Sequence, residues 1–255
     1  MTRRPFLQHH RCRLAALTLA GLLAGCAAGS LPSVHSEPER LALAGRLAAK
    51  RDFTDAIELL KTYIDNNGGS AEVDHAVMLL GECYLGTREW ASAAVQFERL
   101  LREFPESDSS AGASYRLGEA YYGQSRPPDF DQEHTLKAVE QWHAYLAAYP
   151  GHWANAEADH RVQLARMRLA TKWVNDGNLY FKMGQIGPAR VYYRRVEETF
   201  SDLPQLGDAW FGMARCDAHD RDYPAALARL KQIEDRFAGR PIAVYAARER
   251  ARLTR

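Results

Sequence analysis

From Glu37 to the C-terminus, apolar residues return every three or four positions, β-branched runs are scarce, and Gly or Pro falls between segments of helix length. That period puts the apolar side chains on one face of a 3.6-residue helix, so the spacing predicts an all-helical body. The pattern also repeats itself. Residues 74–105 carry Leu80-Gly81, Tyr84, Trp90, Ala93, Phe97, Leu100 and Pro105 in that order. The same frame recurs at Ala56, Leu60 and Tyr63; at Leu117-Gly118, Tyr121, Ala138, Trp142, Tyr145 and Pro150; at Gly177, Tyr180, Ala189, Tyr193 and Val196; and at Ala226, Leu230 and Ile233. Five repeats follow, each a pair of helices. Small residues such as Gly81 and Ala93 let the two helices cross closely, Tyr84 and Phe97 fill the space beside the crossing, and Pro105 stops the second helix. Repeat five carries Asp217 where the aromatic of the first helix is expected.

The frame alanines Ala56, Ala93, Ala138, Ala189 and Ala226 lie 37, 45, 51 and 37 residues apart. The two long intervals identify insertions. The first lies in the turn from Gly123 to Thr135, which contains Arg126-Pro127-Pro128-Asp129. The second lengthens the segment before Gly177. There, Trp153 to Met183 has one internal Gly, no Pro and a helical apolar period through Val162, Leu164, Met167, Leu169, Trp173 and Tyr180, so it reads as one long helix. Residues 37–150 would then hold repeats one to three. Residues 151–255 would hold the long helix, repeats four and five, and a capping helix from Pro241 that covers the last repeat.

The amino terminus follows a different rule. Residues 1–25 contain Arg3, Arg4, Arg11 and Arg13, no acidic residue, and then an apolar run from Leu14 to Ala24. This is the layout of a bacterial export signal, and the run is too short for a permanent membrane span. It ends in Leu23-Ala24-Gly25-Cys26, which resembles the lipobox of bacterial lipoproteins, in which small residues admit the signal peptidase and the Cys thiol receives a diacylglycerol. Cleavage before Cys26 leaves 230 residues, and residues 26–36, with Gly29, Ser30, Pro32, Ser33 and Ser36, read as a flexible tether. Ala27 is not the Asp associated with inner-membrane retention, which favours the outer membrane.

Charge excludes one class of partner. The whole chain has 33 Lys+Arg against 32 Asp+Glu; without the leader this becomes 29 against 32, mildly acidic, and no basic field draws it to nucleic acid. Four cysteines are too few for a disulfide scaffold. Cys83 and Cys216 occupy the same place in repeats two and five, several repeats apart, so buried packing accounts for them better than a bridge does.

The repeated order of small, aromatic, Ala, large apolar and Pro residues resembles the tetratricopeptide pattern. With the lipobox, short tether, insert in repeat three and long helix into repeat four, the mature chain is similar throughout to the BamD family, lipoproteins of the outer-membrane β-barrel assembly machine. Local phrases fit: Phe104-Pro105-Glu106-Ser107, Arg126-Pro127-Pro128-Asp129-Phe130-Asp131 and Tyr192-Tyr193-Arg194-Arg195-Val196. The resemblance implies a solenoid of about five helix pairs with a C-terminal capping helix and a lipid on Cys26. It implies no cofactor beyond that lipid and no chemistry of its own. The C-terminal half would bind the periplasmic domain of a BamA-like barrel insertase, and the N-terminal half would help receive unfolded outer-membrane proteins.

In a tetratricopeptide stack, five set positions of each first helix face the groove. Counted from Asp74 and Ala111, they place Met78, Glu82 and Leu85 beside Tyr115, Glu119 and Tyr122, with Leu41, Gly45 and Ala48 from repeat one. That surface is expected to be apolar and aromatic with two acids, and to suit an extended segment with alternating aromatic residues. It lacks the Lys and Asn pair with which chaperone-binding repeats hold a terminal carboxylate. The competing account packs Tyr115 and Tyr122 against the next repeat.

Catalytic motifs are absent: there is no His-Glu-x-x-His, Gly-x-Ser-x-Gly, phosphate-binding Gly loop or Cys-x-x-Cys. His134, His143, His152 and His160 crowd one region, but no helix-spaced carboxylate completes a metal set. The aromatic segments around Tyr121-Tyr122, Trp142 and Tyr192-Tyr193 are mostly core by spacing. Two other functions compete. A general periplasmic tetratricopeptide scaffold for envelope or division complexes shares the repeats, but usually has an N-terminal coiled coil whose heptads are missing here. A sugar- or lipid-binding lipoprotein would need a deep closed pocket.

Overall fold

The structure is a computed structural model and describes residues 34–255; Cys26, the leader and most of the tether lie outside the described residues. Eleven α-helices and no strand occur among the described residues. They are α1 (Glu37–Ala49), α2 (Phe53–Asn66), α3 (Val73–Thr87), α4 (Trp90–Glu103), α5 (Ser110–Gly123), α6 (Glu133–Ala148), α7 (Asn155–Lys182), α8 (Ile186–Thr199), α9 (Gln205–His219), α10 (Tyr223–Arg236) and α11 (Pro241–Leu253). Helices α1 to α10 pair in order as five hairpins, each packed on the next, and α11 closes the stack against α9 and α10. This is the tetratricopeptide solenoid with its capping helix. The described repeats fall in one unit, Glu37–Arg255.

The frame residues occupy the crossings. Ala56, Ala93, Ala138, Ala189 and Ala226 are all fully buried. Phe97, Trp142 and Tyr193, one turn further along their second helices, lie across a glycine of the preceding helix. A Cβ on Gly81 would stand 2.5 Å from the Phe97 ring, and one on Gly118 would stand 2.3 Å from Trp142 Nε1. A second contact of the same kind joins neighbouring repeats. Phe53 at the start of α2 packs on Gly86 of α3, and Trp90 at the start of α4 packs on Gly123 of α5.

Turns within repeats are also copied. The first helix of repeats one, two, four and five ends in a left-handed residue: Arg51, Arg88, Gly184 and Arg221. In each case its N–H bonds three residues back, and the next N–H bonds five residues back: Arg88 to Leu85 O at 3.1 Å and Glu89 to Tyr84 O at 2.8 Å in repeat two. These bonds satisfy the last carbonyls of the helix, which offsets the cost of roughly 1–2 kcal/mol for a left-handed non-glycine. Periodicity gave no sign of them.

Repeat three departs because of its insertion. The loop is shorter than the sequence suggested: Gly123 ends α5, and Thr135 is already inside α6 and fully buried. Gln132 pins the loop by donating to the carbonyls of Arg126, Pro127 and Phe130, and Asn175 of α7 donates to Asp129 at 2.7 Å. The long helix α7 begins at Asn155, after a turn holding Gly151 at φ 86°, rather than at Trp153. Its first half places Ala158, Val162 and Ala165 in a core with Tyr115, Trp142 and Tyr145 of repeat three. Its second half places Leu169, Ala170 and Val174 in a core with Tyr193, Trp210 and Leu230 of repeats four and five. One rigid rod of 28 residues therefore serves both cores.

Asp217 takes the place of the frame aromatic in repeat five for a reason. It is 5% exposed and meets Arg190 of α8 and, at 3.4 Å, Arg229 of α10, so an ion network replaces ring packing between repeats four and five. Such a network adds hydrogen bonds that fix geometry, whereas its net stabilisation is reduced by the desolvation of three charges.

Candidate functional site

The sequence-derived groove residues divide among three places. Glu82 and Leu85 of α3 and Glu119 of α5 do come together, lining a cavity of about 520 Å³ with Trp90, Arg116 and Arg161. Gly45 and Ala48 of α1 line an adjoining hollow of about 260 Å³ that shares Glu82. Leu41 faces a third cavity of about 420 Å³, which also touches Gly45, with Pro38, Tyr63 and His75. Met78 is half-buried and turned to the next repeat, its Cε 3.3 Å from where a Cβ on Gly112 would lie.

Tyr115 and Tyr122 are not offered to the groove as rings. Tyr115 is 3% exposed, with its ring 5.7 Å from Tyr145 and 6.3 Å from Trp153, and its hydroxyl 3.3 Å from Glu119 Oε1. Burial, and then the Glu119 charge, push its hydroxyl up to about 12, so it stays a neutral donor beneath the cavity floor. Tyr122 packs 5.7 Å from Trp142 and is covered by the Arg168 guanidinium at 4.8 Å. The long helix supplies that cover. Because α7 lies against repeat three, the aromatic positions of α5 are taken up by core contacts.

The electrostatics of the cavity also differ from the sequence expectation of an apolar surface with two acids. Arg116 donates to Glu119 at 2.5 Å and lies 3.7 Å from Glu82; Arg161 of α7 lies 3.6 Å from Glu119 and 2.7 Å from Glu157. Both acids are therefore matched by cations. What remains is a mixed wall in which the apolar surface of Leu85 and Trp90 stands beside alternating charges. Such a surface suits an extended backbone with its own donors and acceptors. Arg116 lies one position beyond the groove-facing frame, and Arg161 belongs to the inserted half of α7, so the repeat frame pointed to neither. Trp153 is 75% exposed although its ring lies 5.4 Å from His152.

One member of the histidine-rich region holds a turn in place. His152 Nδ1 is 2.6 Å from the Tyr145 hydroxyl, which ties the α6–α7 turn to α6. No group of three His, Cys, Asp or Glu with metal-ligand geometry occurs among the described residues. Cys83 and Cys216 are free and buried, and burial pushes both thiols up to about 11. Among the described residues no helix is long and apolar enough to cross a membrane.

Comparison with known proteins gives one family match: residues 48–218 match the model of YfiO, described as an outer membrane lipoprotein. No curated protein matches the chain. Solved structures similar to it include the tetratricopeptide domain of P58(IPK), with 12% identity over 86% of this chain and 65% of that one at a TM-score of 0.44. The TPR2AB domain of yeast Sti1, solved as a pHSP90 complex, has 14% identity over 85% and 82% at a TM-score of 0.43. A tetratricopeptide repeat protein of Parabacteroides merdae has 14% identity over 85% and 72% at a TM-score of 0.38.

Proposed function

Because the chain belongs to the YfiO family of outer membrane lipoproteins, we propose that it is the non-enzymatic, BamD-like component of a β-barrel assembly machine. Cys26 carries the lipid anchor, and the repeats stand in the periplasm against the outer membrane. A diacylglycerol with an N-acyl chain exceeds the two signals needed for stable anchoring. The C-terminal half binds the periplasmic domain of a barrel insertase. The groove of repeats two and three, with Glu82, Leu85, Trp90, Arg116, Glu119 and Arg161, receives extended segments of unfolded outer-membrane proteins.

The observation that carries this reading is α7. A helix with side chains in both cores fixes the orientation of the groove relative to repeats four and five. A substrate segment held in the first would thereby be held at a set place relative to an insertase bound to the second. Affinity purification of the native lipidated protein from outer membranes tests this. A barrel insertase should co-purify, and intact-mass analysis should show a chain beginning at an acylated Cys26. Recovery without any barrel protein would overturn the assignment to that machine.

A further inference from the structure

The capping helix α11 covers the last repeat with one face only. Ile242 and Leu253 pack against the core of repeats four and five, Ala246 is fully buried, and Arg250 donates to Glu234 of α10 at 2.6 Å. The helical period puts these residues on one side. The other side carries Val244, Tyr245, Arg248, Ala251, Arg252 and Arg255, all exposed. Val244 is 51% and Tyr245 55% exposed, on the helix that closes the stack. A terminal cap needs a polar outer face to keep a solenoid soluble, so an exposed aliphatic side chain beside an exposed aromatic one points to a further role.

Charge on this face has one sign. Residues 240–255 hold five Arg against one acid, Glu249. That acid stands on the inner flank, its side chain 18% exposed, and is engaged by Arg252 at 2.5 Å. Arg240 and Arg248 have no acidic partner among the described residues. The cap also ends a wider gradient. Residues 37–150 carry 11 Lys+Arg against 19 Asp+Glu, whereas residues 151–255 carry 18 against 13. A negatively charged surface therefore repels the first three repeats and attracts the C-terminal end of the stack.

We infer that the outer face of α11 rests on the anionic phospholipid surface of the membrane that anchors the chain. Arg240, Arg248 and Arg252 meet the lipid phosphates, while Val244 and Tyr245 enter the headgroup layer, where side chains with an apolar body and a polar tip are favoured. A flat lipid surface suits this face because α11 packs only against α9 and α10 and has no neighbouring helix beyond it to form a groove. The inference rests on the proposed lipid at Cys26, which holds the cap at high local concentration near the leaflet, so that weak contact suffices. Reach allows it. Residues 26–36 extend up to about 40 Å. Five helix pairs at roughly 10 Å each stand about 50 Å high. Both ends of the stack therefore meet one surface when it leans.

The test reconstitutes the full lipidated chain on vesicles of phosphatidylcholine alone and of phosphatidylcholine with phosphatidylglycerol. An environment-sensitive fluorophore is attached through Val244→Cys or Ala251→Cys, and through Val95→Cys on α4 as the control, all exposed positions that leave the fold intact. Cys83 and Cys216 are buried, with thiols pushed up to about 11, and take no label at neutral pH. On the anionic vesicles the labels at 244 and 251 should shift to the blue and be quenched by a nitroxide-bearing lipid, and about 1 M salt should reverse both effects. On neutral vesicles they should stay aqueous, as should the label at 95 on either. Arg248→Gln should lower the ratio of bound to free cap about fivefold, the worth of one arginine near an anionic surface. Equal signals on the two vesicles, or no response to Arg248→Gln at either labelled position, would overturn the inference. Flotation of the same samples reads the anchor separately. A chain that floats with both vesicles while its cap labels stay aqueous is anchored and refutes only the cap contact; one that floats with anionic vesicles alone supports the contact and refutes the lipid at Cys26. No insertase or substrate is present, so the assembly-machine reading keeps its own experiment.

Discussion

Replacing a helical glycine by alanine ordinarily stabilises a helix by about 0.5–1 kcal/mol, because glycine loses more backbone freedom on folding. At Gly118 the sign should reverse. The new methyl would lie 2.3 Å from Trp142 Nε1, on a ring that is fully buried and has nowhere to retreat. Overpacking of this kind costs roughly 1–3 kcal/mol. Trp142 Nε1 also donates to Tyr115 O at 3.2 Å, and shifting the ring far enough to break that bond leaves the buried indole N–H unpaired, for about 1–3 kcal/mol more. Taking ~2 kcal/mol for each and subtracting ~1 kcal/mol for helix propensity gives a net loss of ~3 kcal/mol. For a body of this size that lowers Tm by about 6–12 °C. Gly45 is the control. It lies inside α1, and a methyl added there would meet nothing within 4 Å, so Gly45→Ala should show no loss and a gain of up to ~4 °C. Thermal unfolding followed by circular dichroism at one scan rate compares the two. If Gly118→Ala matched or exceeded Gly45→Ala, the close crossing would not be the reason for glycine in the frame.

Asp208→Asn should stabilise the protein at neutral pH by a small margin only, because the side chain is exposed to solvent and stands in the first turn of α9. Packing around it raises its carboxyl in the folded state, so the folded protein is slightly penalised for ionising it; the penalty is absent below the unfolded value and grows as pH rises toward the folded one. The advantage of the variant should therefore shrink as urea titrations are moved down through that window, and a constant advantage at every pH would show that the charge is not responsible. Cys83 and Cys216, with thiols at about 11, should resist a maleimide at pH 8 in the native protein and react together on unfolding, as read by mass; rapid labelling of either in the folded state would contradict its burial.

Sequence by itself determined the number of repeats and where each begins, because a close helix crossing admits only small residues and the chain must spell them at Gly81, Ala93, Gly118, Ala138, Gly177 and Ala189. It determined the long helix and the capping helix through uninterrupted apolar period. It did not determine which groove positions are free, because the repeat frame describes a helix and its partner but not a neighbour lengthened by insertion. Tertiary structure laid α7 over repeat three, buried Tyr115, covered Tyr122 with Arg168 and brought Arg161 to Glu119 across 42 residues of sequence. It likewise set Asp217 between Arg190 and Arg229, making an ion network of what looked like a departure from the pattern. Packing repeats in sequence, and so can be read; charge pairing depends on which side chains arrive from elsewhere in the stack, and only the folded chain decides that.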